Sequence, residues 1–164
     1  MNWRPLSSKE LQAAEHYVRL AMAQAELAAR TGNAPFGALI VDALGDVVAA
    51  EHNRVREALD PSAHAEINAI RVACRRMRMP TLEGYRLYVN KEPCPMCLVC
   101  AIEAKLSAVY HGDPDDGSVP DALPGAEIVR RAVDHRIRLL GVILAEEARH
   151  HREALLRRYS SGYS

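Results

Sequence analysis

Apolar residues recur at helical intervals through the first long stretch: Leu11, Ala14, Tyr17, Val18, Ala21, Met22 and Ala25 fall on one side, with polar residues between them. Ser7 stands three residues before Glu10, the spacing of a capping box, so a helix is expected to start there and to end at Gly32 and Asn33. The pattern then changes. "PFGALIVDALGDVVAAEHN" reads as two short apolar strands around a turn at Gly45-Asp46, a hairpin. In "DPSAHAEINAIRVACRRMRM" helical spacing returns with Ile67, Ile70, Val72 and Cys74; Ser62 is the expected cap, the helix begins almost at His64, and Pro80 forbids its continuation. "YRLYVN" predicts a strand, "PMCLVCAIEAK" a short helix with Pro95 in its first turn, and "LSAVYHG" another strand, an order that implies parallel pairing. "DPDDGSVPDALPG" reads as a loop, followed by a helix in "AEIVRRAVDH", a strand in "RIRLLGVIL" and a helix in "AEEARHHREALLRRY". The expected architecture is α/β: a mixed sheet of about five strands with helices on both faces, a three-layer α/β/α sandwich.

Length and charge narrow this only a little. A chain of 164 residues that is 49% hydrophobic and 26% charged is expected to form a single domain over 1–164, with 159–164 as a C-terminal tail. Lys plus Arg and Asp plus Glu both number 21, so no global basic field points to a nucleic acid as the necessary partner. The N-terminus "MNWRPLSSKE" lacks the apolar core of a secretory signal, and no apolar run is long enough to span a bilayer. We therefore expect a cytoplasmic protein with no membrane partner. In that reducing compartment a Cys-x-x-Cys pair reads as metal or redox chemistry rather than a structural disulfide.

The candidate chemistry sits in "EPCPMCLVC", which holds three of the four cysteines, Cys94, Cys97 and Cys100. The spacing resembles the start of an iron–sulfur cluster motif, but the only other cysteine, Cys74, lies well inside a predicted helix, and neither a cluster nor a redox dithiol makes use of His64. A zinc ion off the start of the "PMCLVC" helix can be reached by Cys94 and Cys97 together, whereas Cys100 is carried about 4.5 Å further along the axis and is expected to pack in the core, as is Cys74. A third ligand is offered by His64 in "SAHAEI", at another helix start. Three protein ligands leave a fourth tetrahedral position to water, and Glu66, which is not a ligand, can take its proton. His-x-Glu alone is a weak motif; joined to Pro-Cys-x-x-Cys thirty residues later it is the pattern of the zinc deaminases.

On "PFGALIV", "HNR", "DPSAHAEINAIRVAC", "LYVNKEPCPMCL" and "AVYHG" the sequence resembles the cytidine deaminase-like superfamily, and within it the bacterial guanine deaminases and tRNA adenosine deaminases. The resemblance implies the α/β/α deaminase fold, a zinc cofactor and usually a homodimer. It implies hydrolysis of an amino group on a nucleobase-like ring to a carbonyl, with release of ammonia. Asn53 in "HNR" matches the Asn that contacts the base in this superfamily, or else closes the second strand as a turn residue; Phe36 in "PFG" is a wall of the base pocket or plain core. Backbone amides near Ala65 and Cys94, at two helix starts, are expected to support the developing charge.

The substrate is less determined. "DPSAHAE", "AIR" and "EPCPMCL" look more like guanine deaminases, and overall neutrality agrees, so guanine to xanthine is the reading taken from sequence. "HNR" and the basic tail resemble the tRNA enzymes, and "RRMRMP" with "HHREALLRR" offers a patch for tRNA, although such runs also form the solvated face of a helix. "LVCAIEAK" after Cys97 departs from both patterns, which leaves cytosine, a nucleoside, a pterin or a triazine open. Asp113, Asp115 and Asp116 are candidates to read a ring N–H, and Tyr159 and Tyr163 to close over the substrate. A reading of another class is a zinc module without catalysis, against which the retained Glu66 stands, because folding has no need of a carboxylate that leaves the metal alone.

Overall fold

A computed structural model of the chain describes residues 5–114, 124–132 and 137–159. The elements run α1 (Ser8–Arg30), β1 (Gly37–Val41), β2 (Val47–His52), α2 (Val55–Ala58), α3 (Ala65–Met77), β3 (Arg86–Lys91), α4 (Pro95–Glu103), β4 (Ala108–Asp113), α5 (Gly125–Arg131), β5 (Arg138–Leu140) and α6 (Ala145–Tyr159). The strands form one sheet in the order β2-β1-β3-β4-β5. β1 pairs antiparallel with β2 and β3, while β3, β4 and β5 run parallel, so the expected mixed five-stranded sheet is present. Among the described residues no helix is long and apolar enough to cross a membrane.

Burial on both faces explains why the central strands are apolar without interruption. Ala38, Ile40, Leu87, Val89 and Val109 point to the layer of α3 and α4, where they meet Ala65, Ala69, Leu98 and Ala101. Leu39, Val41, Tyr88 and Tyr110 point to the opposite layer and meet Val18, Met22 and Ala148 of α1 and α6. There the Tyr88 ring lies 4.7 Å from Tyr17 and 4.6 Å from Tyr110 between centroids.

Local signals account for most boundaries. Ser7 and Glu10 make the full capping box at α1. The Asp42 carboxylate accepts from the amides of Leu44, Gly45 and Asp46, closing the hairpin turn, and Gly45 takes φ +101° there. Three expectations need correction. Ser62 does not cap α3: it donates to Asp60 in a preceding turn, and His64 holds the cap position instead. The last strand is only Arg138–Leu140, because Gly141 lies against the His111 ring and Val142 and Leu144 adopt left-handed φ of 57° and 56°, which ends extension. The short helix α2 was not anticipated; it is held from outside by Asn33, whose side-chain oxygen accepts from the amides of Arg56 and Glu57. Asp115, Asp116, Tyr163 and the tail beyond Tyr159 lie outside the described residues.

Candidate active site

The C-terminal ends of β2, β3 and β4 and the start of β1 lie at one edge of the sheet, since Gly37 pairs with His52 and Lys91 with Asp113. Two helices begin close to that edge, α3 after the β2 end and α4 after β3. His64 is the N-cap of α3 and Cys94 the N-cap of α4, both with extended backbone, and neither side chain makes a capping hydrogen bond. Those side chains turn toward each other. His64 Nδ1 lies 3.6 Å from Cys94 Sγ and 3.5 Å from Cys97 Sγ, and the two sulfurs are 3.6 Å apart.

These separations can be tested against a metal. With zinc–sulfur bonds near 2.3 Å and zinc–nitrogen bonds near 2.0–2.1 Å, tetrahedral edges are about 3.8 Å for two sulfurs and about 3.6 Å for nitrogen and sulfur. The three donor atoms therefore already stand near the corners of one zinc tetrahedron, with a soft-and-borderline donor set that suits that ion. Cys100 is half-buried, packs on the α3 and α4 core, and is not part of the group; Cys74 packs on the same core.

The electrostatics carry the same message. The Cys94 thiol is pulled down to about 4, first by its contact with Cys97 and then, against the opposing effect of burial, by His64. The Cys97 thiol is pushed up by the Cys94 sulfur beside it and by burial, so only one of the pair ionises readily by itself. A divalent cation removes that conflict, because both sulfurs can then be thiolates. His64 is raised by its contact with Cys94.

Glu66 occupies the first turn of α3 and is 8% exposed, in contact with Cys97. Burial raises its pKa, which brings a carboxyl closer to the neutral range in which it can both accept and give a proton. Ala65, the first helical residue of α3, is fully buried between these two side chains in sequence.

The remaining sequence candidates are distributed. Phe36 is half-buried and packs on the cluster that contains Ala65 and Leu98. Its carbonyl accepts from the Asn53 amide at 3.0 Å, so Phe36 and Asn53 are brought together. Asn53 is 3% exposed and its side-chain oxygen accepts from the Val55 amide, which makes it a support for α2 as well. Asp113 and Tyr159 are engaged elsewhere. Both Asp113 oxygens are held by α6, at 3.0 Å from Arg149 Nε and 2.8 Å from Arg152 Nη2. Tyr159 packs with Leu155 on Ala25 and Ala29 of α1, with the Arg158 guanidinium 5.4 Å from its ring centre.

Sequence reasoning missed two asparagines that build the edge. Asn68 donates to the carbonyls of His52 and Ala63, tying the approach to His64 onto β2. Asn90, 1% exposed, accepts from the Gly37 amide at 2.9 Å and donates to the Pro35 carbonyl at 3.0 Å. An Asn closing the buried strand pattern "LYVN" was the available signal, because Asn is depleted in strands and needs partners when buried.

Comparison with known proteins agrees with this geometry. The sequence model of the cytidine and deoxycytidylate deaminase zinc-binding region matches residues 11–113. The tRNA-specific adenosine deaminase of Aquifex aeolicus is 41% identical over 101 residues, which are 62% of this chain and 66%, just under two thirds, of that protein. The guanine deaminase of Bacillus subtilis is 38% identical over 116 residues, 68% of this chain and 74% of that protein. A solved tRNA:A34 deaminase superposes with a TM-score of 0.75 at 31% identity, covering 83% of this chain and 98% of the other. With one imidazole and two thiols at tetrahedral spacing inside the matched segment, the chain belongs to the cytidine and deoxycytidylate deaminase zinc-binding family.

Proposed function

We propose that this protein is a hydrolytic deaminase that replaces the amino group of a nucleobase-like ring with a carbonyl and releases ammonia. The observation that carries the reading is the buried Glu66 carboxyl beside a His64, Cys94 and Cys97 group spaced for one zinc ion. Zinc held there supplies a Lewis acid that makes water a nucleophile near neutral pH. Glu66 moves two protons in turn: it takes one from the attacking water and delivers it to the ring nitrogen, then takes the proton left on the added hydroxyl and delivers it to the amine, which departs as ammonia as the carbonyl forms. Phe36 forms a wall for the flat ring, and Asn53 offers its side-chain NH2 to the base edge. The amides at the starts of α3 and α4, near Ala65 and Cys94, support the negative charge that develops on the ring. Asp113 and Tyr159 act from outside, fastening α6 to the sheet edge and to α1.

For the substrate, adenosine in tRNA is the first reading, supported by the relatives at 41% identity that carry that name. Guanine, the reading taken from sequence alone, becomes the second. A specific observation keeps it: many arginines on the described surface have acidic partners, as in Arg19–Glu147, Arg30–Glu26 and Arg130–Glu127, which leaves less free charge to grip phosphates. A homodimer is part of the same proposal.

The test is a panel of tRNA, adenosine, guanine, cytosine, pterins and triazines given to the zinc-loaded protein while ammonia is followed. Activity on tRNA that weakens steeply with salt supports the first reading, and salt-insensitive activity on guanine the second. Glu66→Ala is expected to cut turnover by roughly 10²–10⁴-fold while zinc stays bound. Undiminished ammonia release from that variant would defeat the hydrolase assignment, and no ammonia from any member would leave a zinc module without catalysis.

A further inference from the structure

Phe36 stands in a short loop between α1 and β1, and its position is fixed from several sides. Its amide donates to Ala34 across a tight turn at 2.8 Å, and its carbonyl accepts from Asn53 at 3.0 Å. On the carbonyl side of this residue the chain has no slack, because a Cβ at Gly37 would stand 2.0 Å from the Ala21 carbonyl oxygen and 2.6 Å from the Ala25 nitrogen. The peptides on either side of Phe36 are bracketed by one group, the primary amide of Asn90: its oxygen takes the Gly37 N–H and its nitrogen gives to the Pro35 carbonyl. A planar amide that makes both bonds sets the distance and the tilt of the segment together, which a hydroxyl with one rotor cannot do. Asn90 lies in β3, four residues before Cys94, and the Glu92 amide between them is itself tied to the Asp113 carbonyl at 2.8 Å.

We propose that Asn90 is a positioning residue that sets the Phe36 wall in register with the zinc-binding loop, and so controls how tightly the flat base is held. This rests on the deaminase reading above. Asn90 touches neither metal nor substrate; it acts through Pro35, Phe36 and Gly37.

The experiment uses the fact that Phe36 is the only phenylalanine of the chain. Protein grown with 4-fluorophenylalanine carries a single fluorine, whose resonance reports the wall directly, with no need of turnover. In the zinc-loaded protein Asn90→Ser is expected to shift or broaden that line. Zinc stoichiometry, and the thiolate absorption of the cobalt-substituted protein, are expected to stay as in the parent. With whichever of tRNA or guanine is deaminated, KM is expected to rise about tenfold while kcat changes less than about twofold, the pattern of lost binding that ground and transition state share. In a Phe36→Leu background the same substitution is expected to change KM by less than about twofold, since its route is gone. Asn90→Asp is the second variant: it keeps the acceptor for Gly37 and loses the donor to Pro35, so an intermediate shift is expected. An unmoved fluorine line, zinc lost together with the shift, kcat falling in step with KM, or failure of both variants to fold would each overturn the proposal. If no compound is deaminated, the function falls on that result alone, while the fluorine line still decides whether Asn90 holds Phe36.

Discussion

Three helices of this protein begin on residues able to hydrogen-bond their own first turn, yet they use that position in two ways. At α1, Ser7 accepts from the Glu10 amide and Glu10 reaches back to the Ser7 amide, so the side chains serve the helix. At α3 and α4 the same position is held by His64 and Cys94, whose side chains leave the first turn without a cap and converge on each other. The contrast shows local stability given up where a metal can return it: a good N-cap is worth about 1 kcal/mol, whereas a structural zinc site contributes an order of magnitude more when filled.

The strongest break in this comparison comes from converting the second kind of start into the first. His64→Asn and Cys94→Ser each supply a capping side chain and remove a zinc ligand. We expect both to lose stoichiometric zinc and all measurable ammonia release, while the metal-free variants melt at or above the temperature of the metal-free parent. A next, sharper cut lies within one helix. Cys97→Ser is expected to lose zinc, whereas Cys100→Ser, one turn later, keeps full zinc and turnover and costs about 1 kcal/mol in denaturant unfolding as a half-buried thiol becomes a hydroxyl. Ser7→Ala is expected to cost about 0.5–2 kcal/mol in the same assay with zinc and turnover unchanged.

The smallest effect contrasts two imidazoles. His64 is raised by its thiol neighbour, but His111, inside β4 and 5% exposed, is lowered by burial, more than Glu92 and Asp113 nearby raise it, with Lys91 also opposing its charge. A folded-state pKa below the unfolded value of about 6.5 means that the unfolded chain takes up the proton first. The His111 contribution to stability is thus complete above about pH 6.5 and is lost as pH falls from there through the folded pKa. Unfolding midpoints between pH 7.5 and 5.5 are expected to fall less in His111→Gln than in the parent.

Apolar runs, helical spacing and a few turn residues made the layers legible in the sequence, and the helix-start placement of His64, Cys94 and Cys97 was legible there too, because both depend on nearest neighbours in the chain. What stayed hidden depends on partners far away. Asp113 looked like a free loop carboxylate until two arginines of α6 were seen to hold it, and nothing in the strand "YRLYVN" showed that Asn90 has partners at Pro35 and Gly37. The β5 strand was overdrawn for the same reason: nothing within "RIRLLGVIL" announces that the chain packs tightly on His111 at Gly141 and turns left-handed at Val142 and Leu144.

The hairpin turn deserves a practical use. Asp42 satisfies three consecutive amides by itself, Leu44 at the tip is 89% exposed, and the turn sits at the end of β1 opposite Gly37. A dye, an affinity tag or a surface tether placed there would be anchored as far along that strand as the sheet allows from the edge where His64 and Cys94 meet. Immobilised molecules would then present that edge freely to whatever solution is passed over them.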